Sequence, residues 1–133
     1  MTTNRSMPAA ALSAASDLGS SAAWAESSGL KRTNLQEHDL SVPGREVIQD
    51  LIGFDPGAVG PMHSHPGEEI VYVAEGTLEY QLRGQPPVTL KAGEVLFIPA
   101  GTVHGVKNTG SGNATELATY FIEKGRPFVT LAN

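Results

Sequence analysis

Cysteine is absent from the 133 residues. That removes disulfide frameworks, thiolate zinc sites, iron–sulfur clusters and cysteine nucleophiles together. Positive charge is scarce: nine Lys and Arg stand against fourteen Asp and Glu, a formal charge of −5. Such a balance speaks against a nucleic-acid partner. No apolar run approaches the roughly 18–20 residues of a membrane span, so no membrane association is expected. The chain is also too short for two ordinary domains, since one typically takes roughly 100–200 residues. It is long enough to bury a core without a covalent staple. Gly and Pro are plentiful, at 15 and 9. A small, acidic, turn-rich domain remains, whose chemistry must use His, carboxylates or hydroxyls.

Large apolar groups are also missing from the start of the chain. Residues 1–28 hold eight Ala and seven Ser, with Leu12 and Leu18 the sole branched aliphatics. A segment of this kind buries too little surface to offset its ordering entropy, and it reads as a flexible or loosely docked tail. Ala23-Trp24-Ala25 fits a small-x-small cleavage site, whereas the preceding apolar stretch is poor and Asp17 interrupts it. The expected location is therefore cytoplasmic, with export as the alternative if the segment is a signal peptide. Residues 29–133 read as a single barrel domain.

Within that domain, runs of strand-forming residues alternate with Gly and Pro turns. Arg45 to Phe54 ends at Asp55-Pro56-Gly57. Ile70 to Ala74 is continuously apolar, the pattern of a strand buried on both faces. Thr77 to Arg83 alternates, with Leu78, Tyr80 and Leu82 on one face. Val88 with Leu90, Val95 to Ile98, Val103 to Val106 and Leu117 to Ile122 complete the set. No segment after residue 30 keeps a 3.6-residue period. Short, evenly spaced strands predict an all-β barrel or sandwich.

Two stretches carry the chemistry. In Gly57-Ala58-Val59-Gly60-Pro61-Met62-His63-Ser64-His65-Pro66-Gly67-Glu68-Glu69, His63 and His65 project to one side of a strand, within reach of one ion. Pro66-Gly67 marks a turn, and Glu69 then shares their parity while Glu68 points the other way. Glu68 has an even claim to a supporting role. In the second stretch, Pro99-Ala100-Gly101 is a turn before His104, which on an antiparallel neighbour would supply a third imidazole. Asn108 and the glycines read as structural, and His38, between Glu37 and Asp39, as solvated.

These stretches resemble the two cupin motifs. The first matches G-x5-H-x-H-x3-E-x6-G at Gly57, His63, His65, Glu69 and Gly76. The second matches G-x5-P-x-G-x2-H-x3-N at Gly93, Pro99, Gly101, His104 and Asn108. The resemblance covers residues 43–125. It implies a double-stranded β-helix, jelly-roll-like barrel holding one metal through His63, His65, Glu69 and His104. Three imidazoles and a carboxylate leave two positions open on an octahedral ion. Without a soft ligand, Mn, Fe, Co, Ni, Zn and Cu all remain compatible.

The reading that follows is a mononuclear metal enzyme acting on a small oxygen-bearing molecule. Dioxygenase, decarboxylase, isomerase and lyase reactions are all open, because resemblance identifies the site and not the reaction. Met62, Tyr72, Tyr80, Phe97 and Phe121 are the expected pocket lining. No second acid–base pair is evident beside the motif, which favours metal-driven chemistry with Glu69 shifting between ligand and base. The alternative is a non-catalytic sensor that binds a small ligand. Regulators normally carry a helical DNA-binding segment, and no such pattern occurs, which favours the enzyme. Resemblance also suggests a homodimer, with the segment around Leu30 to Val42 crossing to the partner and Val42-Pro43-Gly44 as its hinge.

Overall fold

A computed structural model describes residues 29–132, and the expectations for residues 1–28 lie outside it. The described residues contain no helix. Ten strands follow in order: β1 (Leu30–Asp39), β2 (Arg45–Phe54), β3 (Val59–Ser64), β4 (Gly67–Glu75), β5 (Thr77–Leu82), β6 (Val88–Lys91), β7 (Val95–Ile98), β8 (His104–Asn108), β9 (Ala114–Glu123) and β10 (Thr130–Leu131). They form two five-stranded sheets, ordered β1-β2-β9-β4-β7 and β10-β3-β8-β5-β6. Every pairing is antiparallel.

From β2 onward the chain passes back and forth between the sheets, with β5 and β6 as a hairpin within one of them. The result is the expected all-β double-stranded β-helix. Side-chain alternation builds its core. Val71, Val73, Ala118, Tyr120 and Ile122 from the first sheet meet Leu78, Tyr80, Leu82 and Val106 from the second. Strands β5 and β9 show strict alternation in burial, as a sheet with one buried face requires.

Two features of the motifs are structural. Gly67 opens β4 so close to β9 that a Cβ there would lie 1.7 Å from the Phe121 carbonyl oxygen. Only glycine allows that approach. Asn108 is buried and ties three segments together: its Nδ2 donates to the Phe54, Asp55 and Gly112 carbonyls, and its Oδ1 accepts from the Gly110 N–H. The expected turn-stabilising role for Asn108 is therefore filled several times over.

The structure corrects two expectations. The Ile70–Ala74 run is buried on one face only. Val71 and Val73 point inward, while Ile70 and Tyr72 are 42% and 43% exposed. No second layer among the described residues covers the outer face of this sheet. The segment from Leu30 is a strand of the chain's own first sheet, pairing with β2 from Leu30↔Phe54 to Asp39↔Glu46. It escapes hydrophobic patterning because the positions that share the parity of Leu30 are the half-buried Arg32 and the exposed Asn34, both of which bind Asp50.

Candidate metal centre

The two motifs meet inside the barrel. His63 near the end of β3 stands directly opposite His104 at the start of β8. His65 follows two residues on, past the end of β3, and Glu69 comes from the inward face of β4. All four side chains are buried. One ligand nitrogen from each of His63, His65 and His104 lies within 4.8 Å of the others. Glu69 Oε1 is 3.2 Å from His104 Nε2 and 3.5 Å from His65 Nε2.

The backbone sets the tautomers. Each ring turns its Nδ1 toward a carbonyl oxygen: His63 to Pro61 at 2.6 Å, His65 to Phe128 at 2.7 Å and His104 to Thr102 at 2.9 Å. Since a carbonyl can only accept, each Nδ1 carries the hydrogen and donates it. The Nε2 atom of a neutral ring is then a bare lone pair. His65 Nε2 and Glu69 Oε1 are buried without a hydrogen-bond partner. Electron-pair donors so arranged repel one another unless a cation lies among them, and the arrangement fits a metal ion.

Electrostatics agree. Burial brings the His63 ring down to about 4, with His104 adding to the effect. The His65 ring is pushed well below its ordinary range, chiefly by burial and then by His63. Both rings are neutral at neutral pH. His104 behaves oppositely. Burial opposes its charge, but its contact with Glu69 outweighs this and raises its proton affinity.

Beyond these residues the cavity is lined by Leu30, Arg32, Ile52, Phe54, Tyr80, Val106, Glu116 and Tyr120. Its free volume is about 10 Å³, room for about one water. Of the expected lining residues, only Tyr80 is present. Tyr72 and Phe97 stand on the outer face of the first sheet, at 43% and 57% exposure. Phe121 has the opposite parity on β9 from the buried Tyr120 and Ile122. Met62 precedes inward-facing His63 and lies against the backbone of Gly105, which would meet its Sδ if it bore a Cβ. Glu68 also faces outward and accepts from Arg45 at 3.2 Å, away from the centre.

Three polar groups in the wall were not anticipated. Arg32 donates to Asp50 Oδ2 at 2.6 Å and to the Tyr120 hydroxyl at 3.3 Å, and its guanidinium stacks 5.5 Å from the Phe128 ring centre. Glu116, on β9, accepts a hydrogen bond from the Tyr80 hydroxyl on β5. Burial, and then the negative charge of Glu69, raise the Glu116 carboxyl to about 7. A buried, hydrogen-bonded carboxyl–phenol pair therefore stands beside the motif. Parity could have found it, because Glu116 shares the inward face of β9 with Ala118, Tyr120 and Ile122. The strand legible in the sequence starts only at Leu117, and the opposite face, with Leu117 and Phe121, looks equally apolar.

The cupin domain family model matches residues 50–121, more than half of the chain and all four of these residues. The chain is a cupin. A germin-like protein (subfamily 2 member 2) of Arabidopsis thaliana is 39% identical over 87 residues, covering 59% of this chain and 40% of the relative. The dimethylsulfoniopropionate lyase DddQ of Ruegeria pomeroyi is 37% identical over 57 residues, covering 43% of this chain and 28% of its own. Among solved structures, an oxalate oxidase in complex with the substrate analogue glycolate superposes with a TM-score of 0.64 at 25% identity. That match covers 79% of this cupin and 56% of the oxidase. This cupin thus spans well under two thirds of the length of these relatives.

Proposed function

We propose that this cupin is a mononuclear metal-dependent enzyme acting on a small oxygen-bearing molecule. One observation carries the reading: the imidazoles of His63, His65 and His104 converge with Glu69, each with its Nδ1–H tied to a carbonyl, and His65 Nε2 and Glu69 Oε1 are buried there without a hydrogen-bond partner. These four residues would hold one divalent transition ion. Mn, Fe, Co, Ni, Zn and Cu all suit such nitrogen and oxygen donors. The ion would supply Lewis-acid or oxygen-activating chemistry. The chain's own contribution is to fix the donors, hold both rings of the His-x-His pair neutral and keep out bulk water. Glu69, unpartnered at Oε1, is the nearest group able to alternate between ligand and base.

The small cavity favours substrates of few atoms, and the names of the relatives suggest where to begin. Turnover of oxalate, glycolate, dimethylsulfoniopropionate, diketones, hydroxy acids and phenolics by metal-loaded protein, with and without oxygen, tests the reading. Conversion of one substrate that disappears on metal removal supports an enzyme. Binding without turnover across the panel would favour a sensor.

We also propose a homodimer built on the outer face of the first sheet. There Ile70 pairs with Phe97 and Tyr72 with Val95 across β4 and β7, and all four are exposed. β7 pairs with β4 alone among the described strands, so its free edge extends the same surface. We propose a cytoplasmic location, with export as the alternative, and N-terminal sequencing of protein recovered from cell fractions tests it.

A further inference from the structure

The wall opposite the histidines poses a charge problem. Arg32 comes from β1, and Asp50, which binds it, from β2. Glu69 comes from β4, Tyr80 from β5, and Glu116 and Tyr120 from β9, with His63 and His104 on β3 and β8. Arg32 and Asp50 cancel. A divalent ion held by the histidines would cancel Glu69 and an ionised Glu116. The cavity is then neutral and nearly dry, so a monoanion entering it would bring an uncompensated buried charge, which is strongly unfavourable. Only one group in the wall can remove that charge without disturbing the ion or the Arg32–Asp50 pair. Glu116 is buried and touches the opposite sheet through Tyr80, and that burial favours its protonated form whether or not an ion neutralises Glu69.

We propose that Glu116, held by Tyr80, is the proton-carrying group of this cavity, and that the site takes small monoanions together with one proton. The inference rests on the metal-centre reading above. The balance is simple. As the anion enters, a solvent proton bonds to the Glu116 carboxylate oxygen that Tyr80 does not occupy, giving a neutral acid. On release the anion and the proton both return to water. A substrate whose reaction liberates or needs a proton would find the same carboxyl ready to accept or supply it. The ligand class is a carboxylate or similar anion of few heavy atoms.

The test is a proton count. Formate is titrated calorimetrically into the zinc-loaded full chain at pH 8, in two buffers of different ionisation enthalpy. The wild type should take up about one proton per formate bound. Glu116→Gln, with zinc content unchanged, should take up almost none. Tyr80→Phe removes the donor that favours the carboxylate, so Glu116 should hold its proton before formate arrives. Uptake should then fall, and recover at roughly one pH unit higher. Equal uptake by wild type and Glu116→Gln overturns the assignment to Glu116 alone. Absence of formate binding overturns the anion class, and failure to hold zinc overturns this proposal together with the metal centre beneath it.

Discussion

Glu69 Oε1 and His104 Nε2 lie 3.2 Å apart, although the neutral ring has already committed its hydrogen to Thr102 at Nδ1. Two lone pairs at this distance need a cation between them, either a proton or a metal ion. The two should therefore compete. Because Glu69 raises the proton affinity of His104, acid fills the position first. Metal affinity should rise with pH, about tenfold per unit while one proton must leave, and level off above the His104 titration. Competition with a calibrated chelator between pH 5 and 9 measures this. A pH-independent affinity would contradict it.

Glu116 makes a separate prediction for chelator-treated protein. Its folded carboxyl sits at about 7, above the ordinary unfolded value of about 4.3. A raised carboxyl contributes its full stability below the unfolded value and loses it as pH rises through the folded one. From pH 4 to 8 the wild type should lose about 3 kcal/mol relative to Glu116→Gln. Denaturant midpoints of both proteins across that range test the sign and the size. Parallel profiles would show that Glu116 does not titrate in the fold.

Asn108 should be a stability residue without a role in binding. Its side chain satisfies three carbonyls and one N–H in a buried loop junction. Asn108→Ala leaves those groups unpaired and should cost about 3 kcal/mol in chemical denaturation. Metal content of the folded fraction should stay unchanged.

The exposed apolar face predicts association. Ile70, Tyr72, Val95 and Phe97 are 42–63% exposed and adjacent. Light scattering should give twice the mass of one chain. Tyr72→Asp together with Phe97→Asp should give a single chain with metal content intact, because neither residue reaches the cavity. A monomeric wild type would contradict the dimer.

The strands with apolar alternation were legible, and so was the convergence of His63, His65, Glu69 and His104, because motif spacing and strand parity both encode it. The rest of the cavity was not. β1 carries Arg32 and Asn34 where a core strand would carry aliphatics, and they satisfy Asp50 across the sheet rather than filling a hydrophobic face. Tyr72 and Phe97 look like pocket aromatics until the register shows them on the open face of the sheet. On β9 both faces are apolar enough to be the inner one, and the choice between them decides whether Glu116 or Phe121 lines the cavity. Local pattern identifies a strand, whereas which of its faces meets the site depends on partners distant in the chain.

The four converging donors should hold one ion. Elemental analysis of full-length protein purified without chelator measures it most directly. About one transition ion per chain, lost when His63 and His104 are both replaced by Ala while the fold persists by circular dichroism, is the predicted result. Protein that contains no metal, and takes up none when offered Mn, Fe, Co, Ni, Zn or Cu, would contradict it.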